Sequence, residues 1–221
     1  MTPVLKALGA LLAYPAAELV AAMPEIDALV AAEPRLPRRA KRELAALAAR
    51  LATADLIDLQ EAYVGLFDRG RRTSLHLFEH VHGDSRDRGQ AMVDLKDVYG
   101  RAGFVLAPGE LPDYLPAVLE YLSQRPFAEA ADMLGDCAHI VRSIGEALAR
   151  DGSGYAAIAA ALLALVGAEG LAREPAAVAA EVALPSLDDE WREEPVHFGP
   201  PGGCGANAPA PSVVHFVPRR P

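Results

Sequence analysis

Apolar residues recur every three or four positions along almost the whole chain, up to about residue 183. This interval matches the 3.6-residue turn of an α-helix, so each stripe predicts an amphipathic helix with one buried face. No segment alternates apolar and polar residues as a half-buried strand would. The pattern therefore predicts an all-α protein folded as a single-domain helical bundle. The stripes are Leu5, Leu8 and Leu12; Ala40, Leu44, Leu47 and Leu51; Leu56, Leu59, Tyr63 and Leu66; Met92, Leu95, Tyr99 and Ala102; Leu115, Val118 and Leu122; Phe127, Ala131, Leu134, Ala138 and Val141; and Ile158, Leu162 and Leu165.

Residues that favour helix ends stand where several stripes begin. Asp55 is predicted to cap a helix over 56–68, and Ser85 to cap the helix that begins at Arg86, because short polar side chains accept hydrogen bonds from a first turn. Asp113 is predicted to be an N-cap as well, since this leaves a proline in the first turn, where no helical bond is lost. The helix from Arg86 is predicted to expose Arg86, Gln90, Asp94, Asp97 and Arg101.

The composition changes from Pro195 onward, where seven prolines and four glycines occupy 11 of the last 27 positions. Such a segment can bury little apolar surface, so residues 195–221 are predicted to be an extended or flexible tail. Residues 1–194 then form the helical domain. The short apolar patch at 213–217 leaves two interpretations open. It docks onto the domain or a partner, or it belongs to a plain flexible tail.

Cysteine usage and hydropathy indicate a protein of the reducing cytoplasm. Cys137 and Cys204 form no CxxC pair and suggest no disulfide framework. The first twenty residues have Lys6 as their only basic side chain, unlike a secretory signal. The longest apolar run, at 155–166, has 12 residues, whereas a membrane-spanning helix needs roughly 18–20. The sequence therefore predicts a cytoplasmic protein without direct membrane insertion.

The net charge of −9 is concentrated in one part of the chain. Residues 105–194 hold 16 acidic and 5 basic side chains, whereas residues 1–104 hold 14 of each. This balance argues against a nucleic-acid partner, because phosphate-backbone binding needs a basic face. It favours a basic partner such as a cationic peptide. In the other interpretation, these acids only keep an alanine-rich surface soluble.

The densest polar segment, at 66–92, contains three histidines among acids and arginines. His76, His80 and His82, with Glu79 and Asp84, raise the question of a metal site, which needs ligands that converge from one direction. The chain has no HExxH motif, and a glycine after the third histidine predicts a turn that makes the rings diverge. The favoured interpretation is that Glu79 and the histidines bond to backbone groups and arginines at a helix end. A metal site stays as the alternative.

The residues indicate no catalytic nucleophile. Ser74 and Ser85 lack a glycine elbow, and Cys137 is expected in the middle of a helix on a mostly apolar face. The glycine-rich run at 199–205 lacks the Lys-Ser/Thr ending of a phosphate-binding loop. The chain is therefore predicted not to be an enzyme, with no catalytic residue and no bound metal.

A second dense motif, ELPDYLPAVLEYL at 110–122, places Asp113 and Tyr114 at the entry of a helix that carries Glu120 and Tyr121. Carboxylates beside aromatic rings can hold a basic, amphipathic peptide. In the other interpretation, Asp113 is only a helix cap and Tyr114 only part of the core. The residues alone leave both open.

These motifs closely resemble the NarJ-type family, the molybdenum-cofactor assembly chaperones of respiratory nitrate reductase, also called its delta subunit, which are relatives of the TorD-type chaperones. The resemblance rests on LFDRG at 66–70, SLHLFEHVHGDSRDRGQAMVDL from 74, ELPDYLPAVLEYL from 110, and LDDEW with EEPVHFG at 187–199. It covers the chain from the first helix to about Gly199. It implies a cytoplasmic, all-α, TorD-like single domain.

The resemblance also implies a chaperone that acts in nitrate assimilation and is not an enzyme. Such a chaperone binds the N-terminal peptide of the nitrate reductase catalytic (alpha) subunit while that subunit is open and cofactor-free. It supports insertion of the molybdenum cofactor and of iron–sulfur clusters, and then leaves. No tightly bound cofactor is expected, only a transient contact with the molybdopterin guanine dinucleotide of the client. The alternatives are a chaperone for a different molybdoenzyme and, less favoured, an all-α metal-dependent hydrolase that uses the three histidines and Asp84.

The client peptide is expected in a groove between the helix that begins near Arg86 and the helix that begins near Asp113. Asp113 and Glu120 would lie at the rim of this groove, beside apolar residues that receive the apolar face of the peptide. The candidate client-binding or family-motif residues are Glu79, His80, His82, Arg86, Arg88, Gln90, Met92, Asp113, Tyr114, Leu115 and Glu120.

Overall fold

The computed structural model describes residues 2–82 and 86–172, and over these ranges the protein is all-α, which confirms the predicted fold class. No helix in these ranges has both the length and the apolar character needed to cross a bilayer. The predictions for Gly83, Asp84 and Ser85, for the 187–199 motifs, for the boundary at 194 and for the tail lie outside the described residues. The helices are α1 (Pro3–Leu12), α2 (Ala17–Ala32), α3 (Arg38–Thr53), α4 (Leu56–Phe67), α5 (Leu77–His82), α6 (Arg86–Arg101), α7 (Leu115–Ser123), α8 (Phe127–Asp136), α9 (Ala138–Arg150) and α10 (Ala156–Leu165).

The pair formed by α1 and α7 makes the most extensive helix contact and also positions the second motif. Leu8 of α1 and Leu119 and Leu122 of α7 have no exposed surface. Gly9 allows the two helices to approach closely, because a Cβ there would lie 3.1 Å from the carbonyl oxygen of Pro116 and 3.2 Å from Leu119 Cβ. Burial of this apolar surface is the main stabilising contribution. It holds the N-terminal end of α7, where the ELPDYLP motif ends, against the bundle.

The other helices surround this pair. α2 packs on α1 and α3, α10 packs along α9 and α3, and α5 contacts α6. The predicted stripes of α1 and α3 are buried at every position. In α6 only Leu95 and Tyr99 are buried, while Met92 is half-buried, as is Ala102 just after the helix, so α6 lies at the surface of the bundle. Its exposed face is confirmed as Arg86, Gln90, Asp94, Asp97 and Arg101.

The apolar stripe over 127–141 is not one helix. It is divided at Cys137 into α8 and α9, so the expectation that Cys137 lies in the middle of a helix is wrong. Cys137 has φ −91° and ψ 0°, which is the bridge region between standard conformations. α9 packs along α10, whereas α8 also reaches α7. The chain turns at Cys137, and this turn allows α8 and α9 to bury their apolar faces against different neighbouring helices.

The predicted cap of α4 is confirmed. The Asp55 carboxylate accepts a hydrogen bond from Ile57 N at 2.9 Å, and the helix begins at the next residue, Leu56. α4 ends at Phe67, so the LFDRG motif covers the last two residues of the helix and the turn that follows. This turn leads directly into the candidate site.

Candidate functional site

The two family motifs meet where the segment 74–77 runs beside the segment 113–115. His76 and Tyr114 form an isolated antiparallel β-bridge. Leu77 N donates to Asp113 O at 3.0 Å, and Leu115 N donates to Leu75 O at 2.8 Å. These backbone hydrogen bonds join the N-terminal ends of α5 and α7. We call the resulting cluster the motif junction, which consists of Ser74, His76, Glu79, Arg88, Asp113 and Tyr114.

Asp113 is the most deeply buried member of the motif junction, with a relative exposure of 0%. One carboxylate oxygen accepts a hydrogen bond from Phe78 N at 3.1 Å, and the other lies 3.4 Å from His76 Nδ1. The N-cap of α7 is Tyr114, with no side-chain cap bond. The prediction that Asp113 caps its own helix is therefore wrong, because its carboxylate instead satisfies a first-turn N–H of α5. The expectation of a rim position is wrong for the same reason, since a buried carboxylate cannot face a groove.

His76 lies between this carboxylate and the solvent. The hydrogen bond to the Asp113 carboxylate raises the pKa of His76 above its usual value, although burial opposes this effect. The His76 ring also packs on the Tyr114 ring, with centroids 5.4 Å apart. A charged imidazolium is thus stabilised next to the buried acid.

Glu79 ties the loop before α5 to α6. Its carboxylate accepts hydrogen bonds from Ser74 Oγ at 2.6 Å and from the Arg88 guanidinium at 3.1 Å, and its carbonyl accepts one from Arg71 at 2.9 Å. Although burial opposes it, the Ser74 hydrogen bond and the charge of Arg88 hold the pKa of Glu79 below its usual value. The interpretation that Glu79 bonds to arginines at a helix end is confirmed.

The three histidines of the window have three different partners. His76 pairs with Asp113, His80 donates from Nε2 to the Ser74 carbonyl at 2.9 Å, and the His82 ring lies edge-on to Phe78 at 5.8 Å. In the described ranges, no three histidine, cysteine, aspartate or glutamate side chains gather as a metal-ligand group. Asp84, the fourth ligand of the metal alternative, lies outside these ranges.

Tyr114 connects the motif junction to an aromatic cluster in the bundle. Its hydroxyl lies 3.0 Å from that of Tyr63, and Tyr63 donates to the Leu12 carbonyl at 2.8 Å. The Tyr63 ring packs against Phe67 at 4.7 Å and edge-on against Tyr14 at 5.5 Å. Tyr63 was predicted only as a core position of α4. Its role as the hydrogen-bond partner of Tyr114 depends on the tertiary approach of two helices, for which the sequence carries no signal.

A pocket of about 370 Å³ opens between the end of α4 and the start of α5. Most of its lining comes from the LFDRG turn and the loop that follows, and the junction residues close one side. The Thr73 hydroxyl donates to the Leu66 carbonyl, which fixes the loop to the end of α4. The lining residues are Phe67, Asp68, Arg69, Gly70, Arg71, Ser74, His76 and Glu79.

The expected groove partners on α6 and α7 are distributed differently from the prediction. The contact between these helices lies at the C-terminal end of α6, where Tyr99 packs on Tyr121 with ring centroids 4.7 Å apart and donates to the Pro112 carbonyl at 2.8 Å. Glu120 is exposed and pairs with Lys6 of α1 at 3.2 Å. Leu115 is buried, Met92 is half-buried, and Gln90 bonds to Asp94 within its own helix at 2.8 Å.

A family model for the nitrate reductase delta subunit matches residues 33–160 of this chain, which include both motifs of the junction. The chain belongs to the nitrate reductase delta subunit family. This confirms the resemblance drawn from the motifs. The matched range runs from the end of α2 into α10, so it covers the pocket and every residue of the motif junction.

Individual relatives in the family match over most of the chain. The nitrate reductase molybdenum cofactor assembly chaperone NarJ of Escherichia coli K12 is 43% identical over 202 residues, 90% of this chain and 86% of that protein. The probable assembly chaperone NarW of the same strain is 41% identical over 199 residues, 88% of this chain and 83% of NarW. A probable NarJ of Bacillus subtilis is 32% identical over 158 residues, 72% of this chain and 85% of that protein.

The family-motif residues divide into two groups by their contacts. Glu79, His80, Arg88 and Asp113 bond to other parts of the junction and hold the loop before α5. Other motif residues, such as Arg86, are exposed on α6. The first group positions the junction, within which Asp113 is fully buried, and the second group is freely accessible to a partner.

Proposed function

We propose that this chain is a nitrate reductase assembly chaperone, which binds the N-terminal segment of the catalytic subunit and supports insertion of the molybdenum cofactor and of iron–sulfur clusters. The observation that carries the proposal is the 43% identity, over 90% of the chain, to a protein named as a nitrate reductase molybdenum cofactor assembly chaperone. We further propose that it acts by binding and not by catalysis, and that it touches the molybdopterin guanine dinucleotide of the client only transiently.

We propose that such a client binds exposed apolar side chains near Tyr99. Tyr99 accepts the N–H of Phe104 on its carbonyl at 2.9 Å and donates its hydroxyl to the Pro112 carbonyl. Each of these three residues has an exposed apolar neighbour in sequence. These neighbours are Val98, Val105 and Leu111, which have relative exposures of 37%, 95% and 42%. All three side chains lie in the stretch that runs from the end of α6 to the loop before α7, and we call them the α6–α7 surface.

The charges around the α6–α7 surface are suitable for a basic amphipathic helix. Asp94 and Asp97 on α6 and Glu110 in the loop are exposed acids in the same stretch of chain, where they outnumber the exposed bases Lys96 and Arg101. A peptide that folds as a helix would place its apolar face on the apolar side chains and its basic residues next to the acids. Folding on binding costs several kcal/mol, so moderate affinity and later release follow naturally.

The test is binding of the N-terminal peptide of the nitrate reductase catalytic subunit to Val105→Asp, measured by fluorescence anisotropy. We expect affinity to fall about tenfold or more, as for an anchor that contributes roughly 1.4 kcal/mol. Ile57→Asp is the matched control, because Ile57 is 73% exposed on α4 and lies outside the α6–α7 surface. Equal affinity of both variants would refute this location. Stronger binding of a peptide from another molybdoenzyme would refute the client identity.

A further inference from the structure

The pocket between α4 and α5 is lined by two arginines that are not members of the motif junction. Arg69 and Arg71 line it, together with one carboxylate of the LFDRG turn, Asp68. A guanidinium has five N–H donors in a planar fork, which matches the oxygens of a phosphate. In the described ranges, Arg69 forms neither an ion pair nor a side-chain hydrogen bond, and Arg71 uses one nitrogen for the Glu79 carbonyl.

The other charged groups at the pocket are already paired. Glu79 is neutralised by Arg88 at 3.1 Å, and its second oxygen is occupied by the Ser74 hydroxyl. His76 is paired through Nδ1 with the Asp113 carboxylate at 3.4 Å. Within the part of the chain that the structure describes, the unpaired charges that line the pocket are therefore two guanidinium groups and the carboxylate of Asp68. This balance favours an anion over a cation.

We propose that this pocket binds a phosphate-bearing ligand, whose oxygens accept hydrogen bonds from Arg69 and Arg71. The pocket volume of about 370 Å³ lies within the range of small-molecule sites, roughly 300–1,000 Å³. It therefore has room for a diphosphate as well as for a single phosphate. The recognised chemistry is a phosphate group, whether it comes from the free anion or from a nucleotide.

The proposed phosphate site is separate from client binding and is inferred from the geometry of the pocket. A dinucleotide cofactor contains a diphosphate, so it is one candidate source of the phosphate group. Only this link between the pocket and the cofactor rests on the proposed function.

The test is isothermal titration calorimetry of the full chain with inorganic phosphate, pyrophosphate and guanosine diphosphate at constant ionic strength. We expect saturable binding of pyrophosphate with a 1:1 stoichiometry. Arg69→Gln should weaken it about tenfold, because it removes a charge-assisted contact. Asp68→Asn should strengthen it severalfold, because it removes the opposing carboxylate. Arg101→Gln, an exposed arginine on α6, is the matched control and should bind as the parent does.

Two results would overturn the proposal. The first is no saturable binding of any phosphate compound, or equal affinity of the parent and a folded Arg69→Gln variant. The second is citrate binding as tightly as pyrophosphate with the same dependence on Arg69, which would assign the pocket to carboxylates. Tighter binding of guanosine diphosphate than of pyrophosphate would support a nucleotide source, and the reverse order would support the free anion. Client-peptide binding, measured on the same variants, shows separately whether the proposed function holds.

Discussion

Replacing Asp113 with asparagine tests whether this carboxylate supports the fold or forms part of a client surface. The substitution keeps the shape and one acceptor oxygen, but it removes the charge that faces Phe78 N at 3.1 Å and His76 Nδ1 at 3.4 Å. Hydrogen bonds to charged groups contribute about 1.5–3 kcal/mol each. Because asparagine retains part of the Phe78 contact, we expect Asp113→Asn to lower the free energy of unfolding by about 2 kcal/mol near pH 6.

The loss should depend on pH through His76. The pKa of His76 is raised in the folded protein by the hydrogen bond to Asp113, from an ordinary value of 6.5. A raised folded pKa means that the pair contributes its full stability below about pH 6.5 and loses it as pH rises through the folded pKa. At about pH 8.5 His76 is more often neutral, so the difference between parent and variant should shrink to about 1 kcal/mol.

The assay is urea denaturation followed by circular dichroism at both pH values, for the parent, Asp113→Asn, His76→Gln and the double variant. The double-mutant cycle isolates the coupling of the two side chains. The reasoning is refuted if Asp113→Asn is as stable as the parent, or if the difference does not change with pH. The affinity of Asp113→Asn for the client peptide, measured at low and at high salt, separates the two roles of Asp113. The loss of affinity would disappear at high salt if Asp113 were a charge at the rim of the client surface, but it would persist if Asp113 is a buried charge that supports the fold.

Three further predictions follow from other parts of the chain. Gly9→Ala should destabilise the protein by about 1–3 kcal/mol in urea denaturation, because the new Cβ meets the backbone of Pro116. Gly100→Ala is the control and should be neutral or stabilising, because its Cβ meets nothing within 4 Å. Equal effects of the two substitutions would contradict the close approach of α1 and α7. Tyr114→Phe should lower the free energy of unfolding by about 1 kcal/mol, because it removes the hydroxyl that lies 3.0 Å from that of Tyr63, and should leave the dissociation rate of the client peptide unchanged, since Tyr114 is not part of the α6–α7 surface. A faster dissociation in this variant would move the client surface to the motif junction. Deletion of residues 205–221 should lower the melting temperature by less than about 5 °C, and a larger drop would show that the 213–217 patch docks on the domain.

The helices that follow strong apolar stripes could be predicted from the sequence, and the weaker ones could not. α1 and α3 bury every residue of their stripes, because packing and periodicity favour the same face. α2 (Ala17–Ala32) buries Met23, Ile26 and Val30 at helical spacing, but it contains Pro24 in its interior, which locally argues against a continuous helix. A proline there removes one helical hydrogen bond, and the contacts of α2 with α1 and α3 compensate for it. Such compensation is a tertiary effect that local pattern cannot reveal.

The candidate site shows the same division between local and distant causes. The Asp55 cap was predictable because acceptor and donor are two residues apart. Asp113 has the same kind of signal, a short polar residue before a helix, yet its donor, Phe78, lies 35 residues away. The sequence identified the residues of the polar window and the bonding of Glu79, but it could not assign the partner of each histidine. These partners depend on how the loop before α5 meets the start of α7.

The positions that identify the family are therefore not the best positions for testing its function. Glu79, Arg88 and Asp113 hold the junction together, so changing them alters both the fold and any surface that it supports. Exposed residues with few contacts, such as Val105 on the α6–α7 surface and Arg69 in the pocket, can be changed while the junction stays intact. If client binding and phosphate binding respond to these two residues independently, the protein has two separate surfaces held in place by one motif junction. If neither responds, the partner must contact residues outside the ranges that the structure describes, or the junction must open before the partner binds.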